Sequence, residues 1–314
     1  MRPLFSVLLL VVAACASRDA FPLPDGPPGV QAVSLLGDSL TPAPASDSAR
    51  AAQWRQLDSA HRAVRRAPDD PDARIWLGRR LAYLGYYREA LDVYTAGLAA
   101  HPEDPRFLRH RGHRRITVRD FPGAVDDFAR AAKLVQDRAD TVEPDGQPNA
   151  RGIPTSTLHF NIWYHLGLAH FLQGDFARAR SAWEQCLTVS RNPDAVVATS
   201  YWLYHVLRRL GDTEGAARLL EPIGPGMDII ENTAYHRLLL LFKGDTPLDE
   251  WRAMAATTDA LDGATQGFGV GDWLLVNGDT AAGLEAFRTV LRGPQWAAFG
   301  YLGAEAELAR LGTR

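Results

Sequence analysis

Apolar side chains recur three and four residues apart along most of this chain, the spacing that lines one face of an α-helix. Leu77, Leu81 and Leu84 fall on one such stripe, and Tyr87, Leu91, Tyr94 and Leu98 on the next. Gly85 separates the two stripes and Pro102 ends the second, so the pattern predicts a pair of short helices joined by a tight turn. The pair then repeats. Gly78 and Gly112 stand 34 residues apart, and so do Tyr87 and Phe121, Ala90 and Ala124, Tyr94 and Phe128, and Pro68 and Pro102. Gly-Asp recurs at Gly174-Asp175, Gly211-Asp212, Gly244-Asp245 and Gly278-Asp279, at spacings of 37, 33 and 34. Each of these pairs sits between two helical patterns, where a turn needs a residue tolerant of unusual backbone angles.

The unit DARIWLGRRLAYLGYYREALDVYTAGLAAHPEDP resembles the tetratricopeptide repeat, a helix-turn-helix of 34 residues with Gly, Tyr, Ala, an aromatic and Pro at set places. PRFLRHRGHRRITVRDFPGAVDDFARAAKL matches as well, as does IWYHLGLAHFLQGDFARARSAWEQCL with Gly167, Gly174, Phe176, Ala179, Trp183 and Cys186. The units around Gly211 and Gly278 are degraded and the one around Gly244 is weaker; TPLDEWRAMAATTD there lacks the small and aromatic anchors. The resemblance implies an all-α fold, a right-handed superhelical solenoid of about six helix pairs over residues 48–314, ended by a closing helix. One stretch breaks the rhythm. Gly112 and Gly167 are 55 residues apart, and the excess lies at 137–158, which carries three prolines and two glycines. An insertion of that length reads as a lid or plug on the concave face, or as a surface excursion.

The first residues, MRPLFSVLLLVVAAC, pair a cationic start with an apolar run too short to span a bilayer, so 1–14 reads as a secretory signal. Its end, Val12-Ala13-Ala14-Cys15, resembles the lipobox of bacterial lipoproteins. That resemblance implies cleavage before Cys15, lipidation of its sulfur and acylation of the new amine, giving a stable anchor. Ala16, in place of an aspartate, points to the outer membrane facing the periplasm. Residues 15–47, rich in Pro, Ala, Ser and Gly, read as a flexible and disordered tether.

The chain has 314 residues and a formal net charge of −3, which gives no electrostatic footprint for nucleic acid. The membrane is therefore met through the lipid anchor alone. No nucleophile elbow, phosphate-binding glycine loop, His-Glu-x-x-His or Cys-x-x-Cys occurs, so the chain reads as non-enzymatic and without a cofactor. Cys186 falls where the repeat packs a small residue and reads as a buried structural thiol. His110 and His113 are three apart and set among cations, which opposes a metal ion, and His165 and His170 lie near His159 without a converging set of three or four ligands.

In the family, ligand contacts come mainly from the first helix of each pair. Carried onto this chain, the repeat positions give Arg79, Tyr83, Arg109, His113, Tyr164, Tyr201, His205, Arg208 and Asp272, a groove cationic in front and aromatic in the middle. Arg forks bind carboxylates and aromatics supply packing area, so the expected partner is a protein or peptide with an acidic or C-terminal segment. The expected function is an envelope-anchored binding scaffold. The alternative is a small-molecule binder or enzyme, with 137–158 closing a pocket over His113, Tyr164 and His205.

Overall fold

The computed structural model describes residues 21–43, 46–249 and 260–313. Signal residues 1–14, Cys15 and the weak stretch at 250–259 lie outside the described residues. Thirteen helices are described: α1 (Asp47–Arg66), α2 (Pro71–Tyr83), α3 (Tyr87–Ala100), α4 (Pro105–Thr117), α5 (Phe121–Val135), α6 (Leu158–Leu172), α7 (Phe176–Val189), α8 (Pro193–Arg209), α9 (Thr213–Leu220), α10 (Thr233–Lys243), α11 (Ala260–Val276), α12 (Thr280–Leu291) and α13 (Phe299–Arg310). Each helix packs on the next, and the pairs α2/α3, α4/α5, α6/α7, α8/α9 and α11/α12 form the right-handed solenoid the sequence implies. Among the described residues no helix is long and apolar enough to cross a membrane.

The recurring Gly-Asp has a local cause. Gly174, Gly211 and Gly278 adopt left-handed angles that end one helix, φ +78°, +77° and +95°. The following aspartate then caps the next helix: Asp175 accepts from the Arg178 amide at 3.1 Å, Asp212 from Gly215 at 2.8 Å and Asp279 from Ala282 at 3.1 Å. Asp120 does the same for Gly123, but the residue before it is Arg119, the non-glycine residue at φ +70°.

Packing within a pair also follows one rule. The glycine of the first helix lies under an aromatic ring sixteen residues later: Gly78 under Tyr94, Gly112 under Phe128, Gly167 under Trp183, Gly271 under Phe287. A Cβ at Gly167 would stand 2.6 Å from the indole, so no larger residue fits. In the fourth pair Tyr204 stands in place of the glycine and Leu220 in place of the aromatic, both buried.

The superhelix closes on itself. Helix α11 packs on α8, and α13 reaches α6, where Arg310 Nη2 donates to the Phe171 carbonyl at 3.2 Å. The expected tether departs from its sequence reading over 21–43. Ala32–Val33 and Ser39–Leu40 form a small antiparallel hairpin, with Gln31 and Ala32 buried. Gln31 holds Arg88 at the start of α3, Leu35 N donates to Glu305 of α13 at 2.7 Å, and Trp296 Nε1 donates to the Thr41 carbonyl at 2.8 Å. This segment therefore bridges the first repeat and the last. Composition favoured disorder because the partner surfaces lie between 57 and 270 residues away and leave no local signal.

Candidate functional site

The concave face centres on a cleft of about 300 Å³ walled by α4, α10, the start of α11 and Phe299, which adjoins a second of about 290 Å³ reaching α6 and α8. His113, Glu231, Asn232, Tyr235 and Phe299 line both; Arg109, Asn161, Tyr164 and His165 line the second. The aromatic walls touch one another: His113 lies 4.5 Å from His165 and 5.5 Å from Phe299 between ring centroids.

Arg109 is the buried cation of this centre, 8% exposed. Its Nη1 lies 3.2 Å from His110 Nδ1 and 3.4 Å from His113 Nδ1. A guanidinium can only donate, so both Nδ1 atoms accept and both imidazoles are neutral with the proton on Nε2. The pKa directions agree. Burial, then Arg109, holds His110 well below its ordinary value; burial, then Arg114, does so for His113; burial, then Arg109, for His165. His165 takes the other tautomer, because its Nδ1 donates to the Asn161 carbonyl at 2.6 Å.

The insertion lies over this face. Its base is a short hairpin, with Val142 bridged to Thr157 and the Leu158 amide donating to the Thr141 carbonyl at 2.9 Å. Glu143 Oε2 stands 2.8 Å from Arg109 Nε, each side chain 10% exposed, and also accepts from Asn161 Nδ2 at 2.9 Å. Arg79 Nη1 donates to the Pro144 carbonyl at 2.7 Å and Arg80 Nη1 to the Gly146 carbonyl at 3.1 Å. On the far side Asn149 and Thr155 donate to the Glu231 carboxylate, both at 2.6 Å. Thr155 and Ser156 form one wall of the cleft.

The nine sequence-expected residues separate into three groups. Arg79, Tyr83, Arg109, His113 and Tyr164 come together beneath the hairpin or in the cleft, with Arg79 Nη2 donating to the Tyr83 hydroxyl at 3.1 Å. Tyr201, His205 and Asp272 do not face a groove: all three are fully buried. His205 Nδ1 lies 2.7 Å from Asp272 Oδ2, Arg209 Nε donates to Asp272 Oδ1 at 2.9 Å, and Arg209 also pairs with Glu307. Burial raises the Asp272 carboxyl, but His205 and Arg209 outweigh it and hold the group below the usual carboxylate range. Arg208 sits at the edge, donating to the Tyr204 hydroxyl and Asn277 Oδ1, both at 2.8 Å. The repeat rule assumes an open concave surface, and here α11 and α13 fill the surface of α8.

Sequence reading missed Glu143, Asn161, Tyr235, Phe299 and Glu231. Glu143 lies in the insertion and Glu231 in the connection before α10, where no period applies. Tyr235 belongs to the weak fifth unit and Phe299 to the closing helix, to which no binding position was assigned. Cys186 is buried as expected, and burial pushes its thiol up to about 12. Among the described residues no three His, Cys, Asp or Glu side chains converge as a metal site.

Residues 71–114 and 160–193 each match a model of the tetratricopeptide repeat. No curated protein matches the chain in sequence. Among solved structures, "YrrB: a TPR protein with an unusual peptide-binding site" is similar at 12% identity over 77% of this chain and 96% of that one, TM-score 0.42. A chain of Naa15/Naa10 bound to HypK-THB is similar at 16% identity over 83% of this chain and 37% of that one, TM-score 0.37. The segments 71–114 and 160–193 thus match tetratricopeptide repeats, and an insertion is seated on the concave face between them.

Proposed function

We propose that this chain is a non-enzymatic scaffold, anchored in the bacterial envelope through Cys15, that binds a protein or peptide segment on its concave face. The observation that carries the reading is the central cleft, where Arg109 stands among aromatic walls from His113, Tyr164, Tyr235 and Phe299. A cation able to take a carboxylate, beside rings able to pack a side chain, suits an extended segment with an acidic residue or a free C-terminus. The neutral histidines support a binding role over a catalytic one, since Arg109 engages the Nδ1 lone pairs of His110 and His113. Outer-membrane placement facing the periplasm is supported by the lipobox resemblance and by Ala16 in place of an aspartate.

The test is capture from envelope extract by the full chain, with Tyr235→Ala and Arg109→Gln compared at unchanged circular dichroism. A partner lost in both variants supports the reading; a partner retained by both places binding elsewhere and overturns it. One observation favours a second reading. Thr155 and Ser156 wall the second cleft, and its partly walled space of about 290 Å³ approaches the size that holds a small molecule. Metabolite thermal-shift screening separates the two, because a small ligand raises the melting temperature of wild type and not of Tyr235→Ala.

A further inference from the structure

The hairpin that covers the cationic end of the groove is held like a bound peptide. Glu143 gives a carboxylate to Arg109 in a nearly dry ion pair, and the next residues give main-chain carbonyls to Arg79 and Arg80. The backbone comes so close at Gly146 that a Cβ there would meet the Tyr83 hydroxyl at 2.1 Å. Glu143-Pro144-Asp145-Gly146 thus runs along α2 and α4 with one anchoring carboxylate and a small residue three positions on. Its remaining hold is polar: Asn161 on Glu143 and Ser156, and, mostly exposed, Asn149 and Thr155 on Glu231, Arg151 on Asp228 at 2.7 Å and Asn192 on the Thr155 carbonyl at 2.9 Å. Leu158 packs on the body at the base of the segment, but the apolar side chains farther out are not spent on it, for Val142 is 60% and Ile153 45% exposed. Apart from the Glu143–Arg109 pair, the segment is fixed by replaceable hydrogen bonds and little apolar burial, so that one ion pair chiefly decides whether it opens.

We infer that residues 141–158 are a built-in competitor for the groove, and that the external ligand is an extended acidic peptide whose glutamate or aspartate replaces Glu143 on Arg109. The inference rests on the proposed reading of this face as a peptide site. Charge gives it selectivity. Lifting the hairpin without a substitute leaves Arg109 a desolvated, unpaired cation beside two imidazoles that burial and the surrounding arginines keep neutral, which is strongly unfavourable. A peptide that brings its own carboxylate restores the pair as it enters; a neutral peptide does not. The chain thereby discriminates against apolar segments that its aromatic walls would otherwise accept.

The chain's own sequence supplies the probe. A labelled synthetic peptide spanning Thr141–Ala150 is titrated by fluorescence anisotropy against the full chain and against Glu143→Gln. Removing the internal carboxylate raises the fraction of open groove, so the variant binds the peptide at least about tenfold more tightly than wild type. The gain disappears in Glu143→Gln/Arg109→Gln and with a probe whose glutamate is changed to glutamine. Equal affinity for wild type and Glu143→Gln, or indifference to the probe's glutamate, overturns the inference. Should Glu143→Gln fail to fold, hydrogen exchange on the wild-type chain decides: saturating probe must raise exchange at 143–156 while α5 and α6 stay protected, and unchanged protection there overturns it. The outcomes separate from those of the scaffold reading. Probe binding needs no envelope partner, and a partner captured with hairpin exchange unchanged keeps the scaffold while rejecting the competitor.

Discussion

Arg119 Nη2 lies 2.6 Å from Glu305 Oε2, joining the turn of the second repeat to the closing helix with side chains only 4% and 1% exposed. Arg119 occupies the turn position that glycine holds in the other repeats, at φ +70°. A non-glycine residue there costs roughly 1–2 kcal/mol. The side chain offsets that cost: it also donates to the Trp296 carbonyl at 3.0 Å, while Glu305 accepts from Leu35 N of the N-terminal hairpin.

Arg119→Gly relieves the backbone yet strands a buried carboxylate, and breaking such a pair costs about 3–5 kcal/mol. The net expectation is a destabilisation of about 1–4 kcal/mol in urea titration, part of it recovered by adding Glu305→Gln. Wild-type stability in the single variant would falsify this account of closure.

The glycine–aromatic packing predicts a sharp contrast between two alanine substitutions. At Gly167 the new methyl meets the Trp183 ring at 2.6 Å, so Gly167→Ala should lose about 1–3 kcal/mol by overpacking. At Gly224 nothing lies within 4 Å, and Gly224→Ala should stay within about 0.5 kcal/mol of wild type. Thermal melts of the two decide the point; similar shifts in both would remove the packing explanation.

Acid should weaken the fold in a defined window. His110, His113 and His165 are held well below their ordinary 6.5 by burial, with Arg79, Arg106, Arg109 and Arg114 adding repulsion and Glu143, 3.7 Å from His110, failing to reverse it. Above pH 6.5 these groups are neutral folded or unfolded and stability is flat. As pH falls through 6.5 the unfolded chain takes up protons that the folded chain refuses, so stability drops by up to about 1.4 kcal/mol per pH unit for each histidine. The loss levels off only below the folded values. Denaturant midpoints at pH 8, 6.5 and 5 test the sign; a midpoint that rises toward pH 5 contradicts it.

The Cys186 thiol, raised to about 12 by burial and 3.2 Å from the Thr199 hydroxyl, should not react with a thiol reagent at pH 8 while the chain is folded. Modification should follow the unfolding rate. Rapid labelling of the native protein would mean that α7 opens independently.

What the sequence determined by itself is everything repeated at a fixed interval. Gly78, Gly112 and Gly167 with their aromatics, the Gly-Asp turns, the helix pairs and the extra stretch near 137–158 were all legible, because each depends on contacts within one repeat or with the next. The places of Arg79, Tyr83, Arg109, His113 and Tyr164 on the first helices of their pairs follow from the same period. The tertiary structure alone decided what depends on curvature summed over many repeats. That curvature brings α11 and α13 into the concave face, so Tyr201, His205 and Asp272 became core and Phe299 became a wall of the cleft. It sets Glu305 within reach of Arg119 and Leu35, turning part of the expected tether into a clasp, and it seats Glu143 on Arg109. Such contacts join residues with no shared period, and their energy arises only once the repeats are stacked and water has left the space between them.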